Sequence, residues 1–186
     1  MNSTHDTPCA LIVMGVAGSG KSTIGETLAG RIGWRFEDGD RFHPASNVAK
    51  MSAGVPLTDD DRWPWLQAIA DEIDRLCAAG ERAVVACSAL RRVYRDVLIH
   101  GRNDVRLVYL DGSQQLIADR LNRRKGHFMP PDLLDSQFAD LEKPASDERV
   151  ITVDIARDPV SIAKSVIDDL HLKLAAAQKA ILPAQD

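Results

Sequence analysis

Residues 10–22 read Ala10-Leu11-Ile12-Val13-Met14-Gly15-Val16-Ala17-Gly18-Ser19-Gly20-Lys21-Ser22, and a stretch of helical character follows from Thr23 to Ile32. An apolar strand, a turn spelled G-x-x-x-x-G-K-S and a helix in direct succession make a P-loop, a cradle for nucleotide phosphates. Gly15, Gly18 and Gly20 accept backbone angles that side chains forbid. Successive N–H groups from Val16 and Ala17 through Ser19 can therefore turn inward around phosphate oxygens. Lys21 can reach the outer phosphates, and the Ser22 hydroxyl is a ligand for Mg²⁺. The helix N-terminus at Ser22 and Thr23 adds its partial positive charge to the same anion site.

Outward from this loop, short apolar runs at 11–14, 35–37, 83–87, 105–110 and 150–154 alternate with amphipathic stretches. That alternation predicts an α/β P-loop NTPase fold, a parallel sheet with helices on both faces. Trp63, Leu66, Ile69, Ala70, Ile73 and Leu76 recur at helical spacing and predict a helix over 59–79, ended by Gly80. Pro64 is tolerable there only in the first turn. Asp158-Pro159 opens a last helix carried to about Lys179 on Val160, Ile162, Val166, Ile167 and Leu170. Between Arg123 and Pro131, a charge cluster, Gly126 and Pro130-Pro131 interrupt helix on either side, which predicts a mobile lid over about 123–140. The 186 residues read as one domain, with tails at 1–8 and 180–186 prone to disorder.

Apolar residues make up 45% and charged residues 27% of the chain, with a net charge of −4, so phosphate contacts are expected and a general nucleic-acid or membrane surface is not. Cys9, Cys77 and Cys87 are scattered and lack metal-ligand spacing; they are expected to be reduced thiols in a cytoplasm. The first residues carry no secretory signal pattern, and no apolar run is long enough for a membrane span.

Five further segments carry candidate chemistry. Asp38-Gly39-Asp40 falls at the end of the second strand, where a period of two would put both carboxylates on one face at the ligand-binding edge of the sheet. One could hold the Mg²⁺ hydration shell while the other takes a proton from a substrate hydroxyl. If Pro44 opens a helix, His43, Asn47 and Lys50 stack along one face, suited to a polyol or carboxylate, although a wet helix face has the same pattern. Asp59-Asp60-Asp61 suits a helix start, and Arg62 beside it could take a carboxylate with two prongs. After the third strand, Arg91 and Arg92 form a basic first turn that opposes the helix dipole, as an anion site would, with Cys87 a buried small apolar residue. Arg120, Arg123, Arg124 and Lys125 are the densest cationic cluster, able to fold over ATP phosphates.

Together these segments resemble the gluconate kinases, small P-loop enzymes related to shikimate kinase and the nucleoside monophosphate kinases. The resemblance lies in D-G-D-x-x-H-P-x-x-N-x-x-K-M from Asp38, G-x-P-L-x-D-x-D-R-x-P-W-L from Gly54, C-S-A-L-R-R-x-Y-R-D-x-L from Cys87 and R-K-G-H-F-M-P-x-x-L-L-x-S-Q-F-x-x-L-E-x-P from Arg124. Arg91-Arg92 stands where members often carry a lysine. The resemblance implies a five-stranded parallel sheet, a homodimer, and the reaction of ATP with D-gluconate to give ADP and 6-phosphogluconate. By it, Asp40 would accept the proton of the 6-hydroxyl, Asp38 would hold Mg²⁺ through water and Ser22 would bind the metal directly. Lys21 and Arg124 would stabilise the transferring phosphoryl group, with Arg120 also at the nucleotide. Arg62, Arg91, His43 and Lys50 would contact the substrate. Two alternatives stay open: another small-molecule kinase of the shikimate or nucleoside monophosphate type, and a nucleotide-driven switch, although the guanine signature N-K-x-D is lacking.

Overall fold

The computed structural model describes residues 7–123 and 131–175. Five parallel strands form one sheet: β1 (Ala10–Met14), β2 (Arg35–Asp38), β3 (Ala83–Ala86), β4 (Val105–Asp111) and β5 (Val150–Asp154), in the order β2-β3-β1-β4-β5. The P-loop strand is central, with Ile12 opposite Val85 on one side and Leu107 on the other. Its side chains alternate between two cores. Leu11 and Val13 join Val84, Val108 and Leu110 against α1 (Lys21–Ile32) and α7 (Pro159–Asp169). Ala10, Ile12 and Met14 join Val85, Leu107 and Tyr109 against α3 (Asp59–Ala78) and α4 (Arg92–Ile99). Burial on both faces is why the strands read as continuous apolar runs.

Helix α2 (Ala45–Ser52) follows β2 after a single 3₁₀ turn, Gly39–Phe42, while α5 (Gln114–Arg123) and α6 (Pro131–Asp140) flank the segment 124–130, which lies outside the described residues. The expected lid therefore includes a formed helix in its second half.

Four expectations are corrected. Trp63 is not on the buried face of α3: it is 36% exposed, and Trp65, at 4%, takes the core position instead. Pro64 stands in the second turn of α3, because the helix begins at Asp59 and continues through it. Helix α7 ends at Asp169 rather than near Lys179. After the cap at Leu170 the chain reverses at His171 (φ 50°), Leu172 is buried, and the Ala175 N–H donates to the Arg31 carbonyl at 2.8 Å. Cys9 and Cys77 are joined in a disulfide instead of being reduced thiols, since the start of β1 and the end of α3 pack side by side with their Cα atoms 5.7 Å apart. Cys87 is free and buried as expected, and burial pushes its thiol up to about 12. Among the described residues no helix is long and apolar enough to cross a membrane.

Candidate active site

The loop after β1 has positive φ at Gly15 (147°), Gly18 (80°) and Gly20 (97°), the last capping α1 in the left-handed conformation. At Gly18 space adds to the constraint, because a Cβ would come within 2.8 Å of Leu121 on α5. Ser19 is fully buried, and among the described residues its Oγ has no hydrogen-bond partner, the condition expected of a hydroxyl in a phosphate cradle. Lys21 Nζ donates to the Val16 carbonyl at 3.1 Å. Desolvation pulls the pKa of this amino group below the ordinary lysine value, and Asp40, Cys87 and Asp38 pull it back in part.

Ser22 Oγ donates to Asp38 Oδ2 at 3.1 Å, so the two expected metal ligands meet. Both are hard oxygen donors of the kind Mg²⁺ prefers. Asp38 ends β2, but Asp40 is not on the strand, and the shared-face expectation is corrected. Asp40 sits in the 3₁₀ turn, where its N–H donates to Asp38 Oδ1 at 3.1 Å. The turn brings the second carboxylate over the P-loop side of the sheet. Gly39 is required between them by close approach, as a Cβ there would lie 2.5 Å from the Ala86 carbonyl oxygen of β3. The Gly39 carbonyl accepts the buried Trp65 indole N–H at 2.7 Å, and the His43 ring stacks on Trp65 with centroids 4.2 Å apart. Burial lowers the His43 pKa, while Asp40 opposes that shift and Arg62 adds to it. Trp65 therefore fixes both an acid-bearing turn and a candidate substrate ligand. In the sequence it stands as the W of R-x-P-W-L, with no chemistry of its own to mark it.

Across from the P-loop, α3 presents Arg62 and the turn into α4 presents Arg91. Thr58 caps α3 with Asp61 in a reciprocal capping box. Lys50 on α2 donates to both Asp61 oxygens at 2.6 and 2.8 Å, and with the Thr58 contacts this holds the carboxyl at about 2. The amino group expected to reach substrate is thus engaged by Asp61. Asn47 donates to the Asp61 carbonyl at 2.7 Å and lies 3.3 Å from His43 Nδ1, so the three-residue face is tied to α3. Asp59 gathers the two arginines. Its carboxylate accepts Tyr94 O–H at 2.6 Å and Arg91 Nη1 at 2.7 Å, and Arg62 Nη1 donates to Tyr94 Oη at 3.0 Å. The Tyr94 hydroxyl first, then Arg91 and Arg62, hold Asp59 below the usual carboxylate range. From sequence alone Asp59 reads as a helix-start acid, and Tyr94 carries no signal of a site.

Arg95 is the large side chain that sequence reading missed altogether. It is 1% exposed, pairs with Glu148 at 2.5 and 2.9 Å, and donates to the carbonyls of Ala89, Leu90 and Glu142. These bonds pin the turn at Ala89 (φ 44°) from which Arg91 projects. Burial pulls the Glu148 carboxyl up, but Arg95 and the Ala145 N–H more than reverse this, and its pKa lies below the ordinary value.

On the outer side of the P-loop, a cavity of about 260 Å³ is lined by Gly18, Thr23, Arg120, Arg157, Pro159 and Ile162 among others. Arg120 lines it while donating to the Ile155 carbonyl. Arg124 lies outside the described residues.

A family model for shikimate kinase matches residues 17–170. The chain is 48% identical over 160 residues to a gluconokinase of Gluconobacter oxydans, covering 86% of this chain and 90% of that protein. The chain belongs to the shikimate kinase family, among the gluconokinases. A probable gluconokinase of Mus musculus is 45% identical over 182 residues, which covers 89% of this chain and 99% of the mouse protein. A crystal structure of a gluconokinase from Sinorhizobium meliloti superposes with a TM-score of 0.81 at 45% identity, spanning 88% of this chain and 92% of that one. The match confirms the five-stranded parallel P-loop kinase fold and the phosphotransferase class for this chain.

Proposed function

We propose that the protein transfers the terminal phosphoryl group of ATP to the 6-hydroxyl of D-gluconate, giving ADP and 6-phospho-D-gluconate. The observation that carries this reading is the placement of Asp38 and Asp40 beside Ser22 and Lys21, with Arg62 and Arg91 gathered at Asp59. A sugar acid has the matching polarity, a hydroxyl at one end and a carboxylate at the other. The gluconokinase relatives support gluconate over shikimate or a nucleoside monophosphate as acceptor.

In this reading Asp40 orients the 6-hydroxyl and takes its proton as the oxygen attacks. Lys21, with Arg124, balances charge on the transferring group, and Arg120 holds the nucleotide. The carboxylate docks on Arg62 and Arg91, displacing part of their engagement with Asp59, and His43 contacts a hydroxyl. Lys50 acts through Asp61, which anchors the helix turn that bears Arg62. Ser22 directly and Asp38 through water are the residues that would hold Mg²⁺, which supplies charge neutralisation at the β- and γ-phosphates. We also read the protein as a cytoplasmic homodimer, by likeness to the family. The test is ADP release in a coupled assay with gluconate, shikimate and AMP offered separately. Turnover only with gluconate is expected, and turnover with shikimate or AMP alone overturns the reading.

A further inference from the structure

The Val16–Ala17 peptide of the P-loop is gripped at both polar ends. Its carbonyl accepts Lys21 Nζ at 3.1 Å, and its N–H, expected to face phosphate, donates in this structure at 2.6 Å to Oε1 of Gln137, which lies 120 residues away on α6. Lys21 is the side chain that serves the outer phosphates, so this peptide stands at the terminal-phosphate end of the loop. Gln137 is rigidly presented. Leu134, one turn earlier on α6, is 5% exposed in the core, Phe138 packs against the same core, and Asp135 accepts Gln114 of α5. The carboxamide uses only its oxygen in this contact. Among the described residues its Nε2 has no acceptor, and because Nε2 shares a carbon with the oxygen that meets the Ala17 N–H, the geminal –NH₂ is a donor held beside the loop.

We propose that Gln137 is a nucleotide-contacting residue that recognises the terminal phosphoryl group of ATP. Its carbonyl fixes the plane of the Val16–Ala17 peptide, and its –NH₂ donates to a γ-phosphoryl oxygen. This deepens the kinase reading of the site. ADP lacks the group that Gln137 contacts, so Gln137 sets the preference of the free enzyme for ATP over ADP. It also links α6 to the loop that carries the reacting phosphate.

The experiment measures, by calorimetry with Mg²⁺ present, the affinities for ADP and for the non-hydrolysable β,γ-imido analogue of ATP in the unaltered protein, Gln137→Ala and Gln137→Glu. Gln137→Ala should lower the analogue-to-ADP affinity ratio by about 10-fold, the scale of one hydrogen bond to a charged acceptor, with ADP affinity held. Gln137→Glu can still accept the Ala17 N–H, but it removes the donor and sets a negative charge against the phosphate. Its ratio should fall further, and it decides the question where the alanine variant folds poorly. An unchanged ratio in the variants, or equal weakening of both nucleotides, overturns the proposal. Neither affinity requires an acceptor sugar. Failure of gluconate-dependent turnover in the unaltered protein would therefore sink the gluconate reading while leaving this measurement intact.

Discussion

Lys21 and Asp40 share one electrostatic neighbourhood but stand on different ends of the reaction. Lys21→Ala should reduce kcat by about 10²-fold or more, because a preorganised charge at the developing phosphoryl anion is lost. Among the described residues the amino group's hydrogen bond is to the loop's own Val16 carbonyl, so circular dichroism should show the fold retained. Asp40→Asn should lower kcat by about 10²- to 10⁴-fold at near-normal KM for gluconate, since an amide holds the hydroxyl but cannot take its proton. Asp38→Asn, altered at the Ser22 contact, should instead raise the Mg²⁺ concentration needed for half-maximal rate; an exchange of these two phenotypes would reverse the assigned roles. Arg62→Lys keeps a charge but loses the planar fork, at about 1–3 kcal/mol for a bidentate contact. The loss should show as a raised KM for gluconate with KM for ATP unchanged, and a defect in ATP affinity would remove Arg62 from the sugar-acid pocket.

At the scale of elements, the start of α3 carries a reciprocal capping box and three acids in its first turn. Thr58→Ala removes one half of the capping box and should cost about 1 kcal/mol, a fall of roughly 2–4 °C in Tm for a protein of this size. The Lys50–Asp61 pair gives a pH signature. Asp61 titrates at about 2 when folded against an ordinary 3.8, so its stabilising contribution is complete above about pH 4 and disappears as the pH falls toward 2. Lys50→Met should therefore lower Tm at pH 6 but match the unaltered protein near pH 2; a constant offset across that range would rule the pair out as the source. Element types were readable because the periods are clean, and β5 has the expected bounds. The misplacements have local causes. Trp63 and Trp65 flank Pro64, and helical spacing alone did not decide which ring turns inward; the buried indole N–H found its acceptor only in a turn 26 residues earlier. The end of α7 was overrun because nothing in its apolar spacing signals the reversal at His171.

For the molecule as a whole, the sheet with its P-loop was legible from five apolar runs and one motif, and the candidate residues Asp38 and Arg91 from their places after strands and Arg62 from its helix start. What was not legible depends on long-range packing: the Asp59–Tyr94 hub, Arg95 in the interior, and the meeting of Cys9 with Cys77. The disulfide spans a sequence separation of 68, and in the chain-entropy account closure of such a loop is worth about 4 kcal/mol. Reduction, or Cys77→Ser, should lower Tm by on the order of 10 °C, and the serine variant should no longer respond to reductant. A melting curve indifferent to reductant in the unaltered protein would show that the thiols stay apart. The buried Arg95–Glu148 pair, with its 53-residue separation, also bears on synthesis. A nascent chain releases β1 through β4 from the ribosome well before Glu142 and Glu148 emerge, and domains consolidate as their parts become available. Until then Arg95 has no carboxylate to meet, and the turn that aims Arg91 has no clamp. The sugar-acid side is thus completed only as the last strand is delivered.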